Sequence, residues 1–182
     1  KENFLKNKFN GITEYLAYRT KTEKFAMIIY NKKLSVCPIT THVPIKYVTK
    51  KINKNKIIDK VNLLSIFWKQ KFNSRPKIGI TSLNPHGESI DLLNEDKKIV
   101  LPAINTLKKR KYNVNGPYAA DTLFTKKNRE KFNLIIGMYH DQVLTPIKTL
   151  FEYDAINVTV GLPFVRVSPD HGPNETMLGK NL

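Results

Sequence analysis

One cysteine, Cys37, stands alone among 182 residues. A single thiol excludes a disulfide framework and any cysteine-built metal site, and it suits a reducing, intracellular compartment. Acids are also few: 15 Asp and Glu face 31 Lys and Arg, giving a formal net charge of +16. Arginine is scarce among those cations, with 5 against 26 lysines, while asparagine reaches 18. Nucleic-acid readers favour the planar arginine fork, which matches phosphates and guanine edges. A Lys- and Asn-rich, Arg-poor chain is what codon drift in an AT-rich genome leaves, so the charge by itself does not point to nucleic acid as a partner. No window reaches the roughly 18 uncharged apolar residues of a membrane span, which excludes a transmembrane helix. The stretch from Lys1 has no apolar signal-peptide region, so a cytoplasmic setting is the expectation. Walker-type loops, G-x-G-x-x-G and G-x-S-x-G are all missing, which removes the sequence support for a Rossmann dinucleotide site or a hydrolase elbow.

What is present suffices for a core, because 41% of residues are apolar and 10% aromatic. The runs 26–30, 34–39, 77–83, 134–139 and 155–162 read as strands. Ile57, Val61, Leu64 and Trp68 share one face of a helix over 56–69, and Val100, Ala103, Ile104 and Leu107 share one over 95–110. Asn115-Gly116-Pro117 reads as a turn. Strands alternating with helices imply an α/β sheet covered on its faces, with functional residues at strand ends. Residues 46–77 hold ten Lys or Arg and one acid, Asp59. With no aromatics interleaved on the polar side, this reads as a solvated helix surface, not a stacking platform.

Four histidines lie in proline-flanked, loop-like settings: His42, His86, His140 and His171. The first three each follow a predicted strand, which places three imidazoles at equivalent edges of one sheet. Neutral imidazole is the commonest divalent-metal ligand, and three with an open position make a catalytic arrangement. A second group is cationic and polar: Lys148, Asn157 and Arg166 recur at nine-residue intervals around the strand 155–162. Arg166 sits in an otherwise apolar loop. It should hold an anion there, either a ligand or one of Glu152, Asp154 and Asp170. Cys37, inside a strand, suits packing better than nucleophilic chemistry.

Five motifs occur in a recognisable order: 40–44 (TTHVP), 83–86 (LNPH), 116–124 (GPYAADTLF), 138–142 (MYHDQ) and 161–172 (GLPFVRVSPDHG). With them the chain closely resembles the 4-hydroxythreonine-4-phosphate dehydrogenase family over Gly11 to Gly172. The resemblance implies the three-layer α/β/α fold of isocitrate and isopropylmalate dehydrogenases, in a homodimer whose active sites use residues from both chains. It implies NAD- (or NADP-) dependent oxidation of the secondary alcohol of 4-phosphohydroxy-L-threonine, then loss of CO₂, in pyridoxal phosphate (vitamin B6) biosynthesis. It further implies a divalent metal (Zn, Mg or Co) on His42, His86 and His140, and substrate contacts from Thr13, Lys148, Asn157 and Arg166. Lys148 or Asp121 would relay the hydroxyl proton. Asp170, His171 and Gly172 would open the cofactor-side loop.

Three departures accompany the resemblance. Ile12 stands where the family's Gly-His-Thr-Glu motif has its histidine, the loop after His86 is short (Gly87-Glu88-Ser89), and Val143 replaces a common glycine. Relatives act on erythronate or threonate 4-phosphates, and the lost histidine makes such a shifted substrate the alternative. The resemblance also implies that residues 1–182 are the central metal-, substrate- and dimer-forming domain of a longer chain, with the outer NAD-side domain mostly absent.

Overall fold

A computed structural model describes residue 9, residues 11–87 and residues 94–170. Seven strands form one mixed sheet: β1 (Ala26–Tyr30), β2 (Ser35–Pro38), β3 (Ile78–Thr81), β4 (Val114–Tyr118), β5 (Leu134–Gly137), β6 (Ile156–Val160) and β7 (Arg166–Pro169). Their spatial order is β4-β3-β5-β2-β1-β6-β7. β2, β5, β3 and β4 are mutually parallel, whereas β1 and β7 run antiparallel to their neighbours. Four parallel strands therefore end on one edge of the sheet.

The strand sequences are apolar on both sides because both faces are covered. On one face α2 (Lys54–Phe72) packs Ile57, Val61, Leu64 and Trp68, and α3 (Leu101–Lys109) packs Ala103, Ile104 and Leu107, against Ile28, Cys37, Ile80 and Ile136. On the other face α4 (His140–Phe151) lays Val143, Leu144 and Ile147 on Ile29, Val36 and Ile135. This is the expected three-layer α/β/α arrangement. Asn53 caps α2 by accepting from Lys56 N at 2.9 Å, and Asn73 closes it in the left-handed region with Lys69 and Lys71 in the last turn, charges that suit the helix C-terminus. The lysines of 46–77 lie mostly on the exposed side of this region.

Three expectations change. Asn115-Gly116-Pro117 is not a turn but part of β4, pairing in parallel with β3 through Ile78↔Val114 and Gly79↔Asn115. β4 lies at the edge of the sheet, where a proline without an N–H is tolerated. Gly116 has φ +137°, and a Cβ there would collide with the carbonyl oxygen of Ile80, so the glycine serves a close strand approach. The second change is at His140, which opens α4 and is not in a loop, and the third is at Arg166, which begins β7 and pairs with Thr159 instead of lying in a loop. β7 and the short first helix, α1 (Ile12–Arg19), complete the described elements that position the site.

Candidate active site

The parallel strands deliver their chemistry to one edge. His42 follows β2, His140 follows β5, His86 follows β3 and Asp121 follows β4. In sheet order these strands are contiguous, so the three expected metal ligands and the expected acid stand on four adjacent strand ends.

The structure brings two of the histidines together: the His42 and His140 rings are 5.9 Å apart, centroid to centroid, and tilted by 39°. Each has a carboxylate at Nδ1. Asp141 Oδ1 is 2.6 Å from His140 Nδ1, and Glu14 Oε1 is 3.7 Å from His42 Nδ1. A carboxylate at Nδ1 sets the tautomer in which Nε2 can ligate, the usual partner of a metal-binding imidazole. Thr41 donates to the same Glu14 oxygen at 2.9 Å. Burial pushes the Glu14 carboxyl upward, but the neighbouring His42 ring and bonds from its own backbone N–H and Thr41 outweigh this and hold it below its ordinary value. His86 adopts a left-handed backbone, φ 58°, in the turn Pro85–Gly87. Among the described residues no three His, Cys, Asp or Glu side chains converge at metal-binding distance, so His86 shares the edge without closing on the other pair. The donor set fits a divalent cation in type and in its carboxylate backing.

The first turn of α1 links this pair to the cationic group. A Cβ on Gly11 would stand 3.1 Å from His42 Nδ1. Two residues on, Thr13 is buried and accepts from Arg166 Nη1 at 3.3 Å, and the same nitrogen donates to Thr159 Oγ1 at 3.1 Å. No carboxylate among the described residues pairs with Arg166, so of the two readings of this arginine the ion pair with Glu152, Asp154 or Asp170 does not form. Asn157 lies two residues before Thr159 on β6, hence on the same face, and its Oδ1 is buried without a hydrogen-bond partner.

Lys148 lies apart from the histidines. Its Nζ donates to the Asp170 carbonyl at 2.6 Å, sits 3.2 Å from Asp170 Oδ2 and lies over the Tyr153 ring. Asp170 follows Pro169, which pairs with Ile156 at the start of β6. Lys148 is thus held near the opposite edge from His42 and His140. Asp121 is exposed and accepts from Thr122 N at 2.6 Å. His171 and Gly172 lie outside the described residues.

Sequence reasoning missed Glu14 and Asp141 as imidazole partners. Their adjacency to Thr13 and His140 was the available signal. It missed Asp96 entirely: that carboxylate is buried and accepts from Leu83 N, Asn84 N and Asn84 Nδ2 at 2.7, 3.0 and 3.0 Å, holding the loop that leads to His86.

The family profile described as pyridoxal phosphate biosynthetic protein PdxA matches residues 1–182. The chain belongs to the PdxA family. It is 45% identical over 96% of its length to a 4-hydroxythreonine-4-phosphate dehydrogenase of a Sulfurihydrogenibium species, covering 54% of that protein. It is 34% identical over 90% of its length to a D-threonate 4-phosphate dehydrogenase of Pectobacterium atrosepticum, covering 51% of it. Among solved structures, a 4-hydroxythreonine-4-phosphate dehydrogenase from Klebsiella pneumoniae superposes with TM-score 0.80 at 35% identity, over 93% of this chain and 52% of that one. The PdxA-type fold extends to a terephthalate 1,2-cis-dihydrodiol dehydrogenase from Burkholderia xenovorans, with TM-score 0.69 at 20% identity over 85% of this chain and 50% of that one. This chain spans about half the length of the curated PdxA relatives it matches.

Proposed function

We propose that this chain supplies the metal- and substrate-binding sheet of an NAD-dependent dehydrogenase in pyridoxal phosphate biosynthesis. Its substrate is 4-phosphohydroxy-L-threonine, whose secondary alcohol is oxidised to the 3-oxo acid before CO₂ is lost. The observation that carries the reading is the pair of carboxylate-backed imidazoles, His42 and His140, 5.9 Å apart on strand ends neighbouring that of His86.

His42, His86 and His140 would hold a divalent cation, which, when bound, lowers the pKa of a coordinated hydroxyl and accepts developing charge on oxygen. Arg166 and Lys148 supply fixed positive charge for the substrate's phosphate and carboxylate. Thr13 and Asn157 offer polar contacts beside Arg166. Lys148 or Asp121 would take the hydroxyl proton, and a nicotinamide cofactor, when bound, would supply the hydride acceptor. Because Lys148 and the histidines of one chain lie toward opposite edges, a homodimer with a shared active site accommodates the set. A second substrate reading, threonate or erythronate 4-phosphate, is supported by Ile12 in the place of the family histidine and by the Pectobacterium relative.

The test uses full-length protein. NADH formation is followed with 4-phosphohydroxy-L-threonine, D-threonate 4-phosphate and erythronate 4-phosphate, before and after removal of divalent ions by chelation. One of the three should reduce NAD in a chelator-sensitive manner, and His42→Ala and His140→Ala should each weaken divalent-ion binding in a direct titration. Turnover that survives thorough chelation would overturn the metal assignment. Failure of all three substrates with NAD and with NADP would overturn the activity.

A further inference from the structure

The edge that carries the histidines is tied together by one buried amide. Gln142, the third residue of α4, is 9% exposed. Its Oε1 accepts from Met138 N at 2.7 Å and from Thr81 Oγ1 at 2.8 Å, and its Nε2 donates to the Ser82 carbonyl at 2.7 Å. Both lone pairs of the amide oxygen and one of its two N–H groups are used.

These partners sit where the sheet's own bonding stops. β3 and β5 are in register through Ile80↔Ile136. Past that pair the two strands leave for their loops, Thr81-Ser82 toward His86 and Met138 toward His140. Gln142 spans the two chains at that point. The network then continues sideways. Ser82 N and Oγ both reach the Tyr118 carbonyl, at 2.7 and 3.2 Å, on β4, and Thr40 Oγ1 reaches the Met138 carbonyl at 2.8 Å from the end of β2. One run of hydrogen bonds thus crosses all four strand ends just behind His42, His140, His86 and Asp121. Gly137 makes room for it, since a Cβ there would lie 3.0 Å from Gln142 Oε1 and 2.5 Å from Val143 Cγ1.

We propose that Gln142 is a positioning residue for the cation site, fixing the separation of the His86-bearing and His140-bearing strand ends. The proposal rests on the reading of the three histidines as ligands. Gln142 touches no reacting group. It acts by denying the two loops independent movement, as outer partners of metal ligands do.

The experiment titrates full-length protein with Co²⁺, read by calorimetry and by visible absorption of the bound ion, alongside melting temperature. Gln142→Leu keeps the volume and removes all three bonds. It should weaken Co²⁺ binding about 10- to 100-fold and alter the absorption envelope. Leu64→Ala, in the core on the opposite face, should lower the melting temperature while keeping the wild-type Co²⁺ affinity, which separates positioning from general loss of stability. Gln142→Glu, which retains both acceptor contacts, should fall between wild type and Gln142→Leu. Should Gln142→Leu fail to fold, Thr81→Val removes one bond only and should still weaken Co²⁺ binding.

Wild-type affinity in folded Gln142→Leu, or in Thr81→Val where that variant replaces it, would overturn the proposal, as would an equal loss in Leu64→Ala. If His140→Ala binds Co²⁺ as wild type does, or wild type binds none, the ligand reading falls and takes this proposal with it. That result is distinct from one in which only the Gln142 and Thr81 variants are silent.

Discussion

Asp96 grips Asn84 twice, accepting from its backbone N–H and from its side-chain Nδ2, each at 3.0 Å. A third bond comes from Leu83 N at 2.7 Å. The carboxylate is thirteen residues from Leu83 along the chain, so it acts as a peg for the loop, not as a local turn device. Asp96→Ala strands two part-buried backbone donors and should cost about 2 kcal/mol. Urea unfolding measures this, and a loss well under 1 kcal/mol would show that water replaces the peg.

Gly116 offers a test of the β3–β4 contact. Alanine there must adopt a left-handed φ and meets the Ile80 carbonyl. We expect Gly116→Ala to destabilise by about 3 kcal/mol. A variant melting with the wild type would mean that β4 shifts easily along the sheet edge.

Cys37 is fully buried, and burial pushes its thiol above the ordinary value of 9.0. In the folded protein it should resist thiol reagents at neutral pH and react only as fast as the domain opens. The sign for stability follows from tighter proton binding in the folded state. The contribution of the neutral thiol is intact below 9.0 and is lost as pH rises above it. Rapid labelling of native protein at pH 7 would contradict the burial.

Ile12 opens α1 and is 42% exposed, so a polar replacement costs the core nothing. Ile12→His in full-length protein should raise kcat/KM for 4-phosphohydroxy-L-threonine relative to the two sugar-acid phosphates by about tenfold, the worth of one hydrogen bond. An unchanged ratio would remove position 12 from substrate choice.

The lysine-rich surface should not act as a nucleic-acid site. A labelled duplex retained at low salt should be released by about 0.15 M salt. Tight retention there, with a steep salt slope, would reinstate the polyanion reading of residues 46–77.

Most of the framework was legible from the sequence because its signals are local. The strand runs at 26–30 and 134–139, and the face Ile57-Val61-Leu64-Trp68, carry their periodicity within a few residues. β4 was misread because Asn-Gly-Pro is turn chemistry, and only its place at a sheet edge makes it a strand. The start of α4 at His140 was hidden by a polar triplet, His140-Asp141-Gln142, in which Gln142 takes partners as distant as Thr81 and Ser82. The three histidines could be placed on one edge by counting strands. The role of Gln142 could not, because Thr81 lies 61 residues away and no spacing rule connects them.

The parallel strands keep their folding and their chemistry in different places. Apolar residues between the helices hold the sheet, and the three histidines and Asp121 are appended where four strands stop. Such a division would let side chains at the rim change one at a time without disturbing the interior.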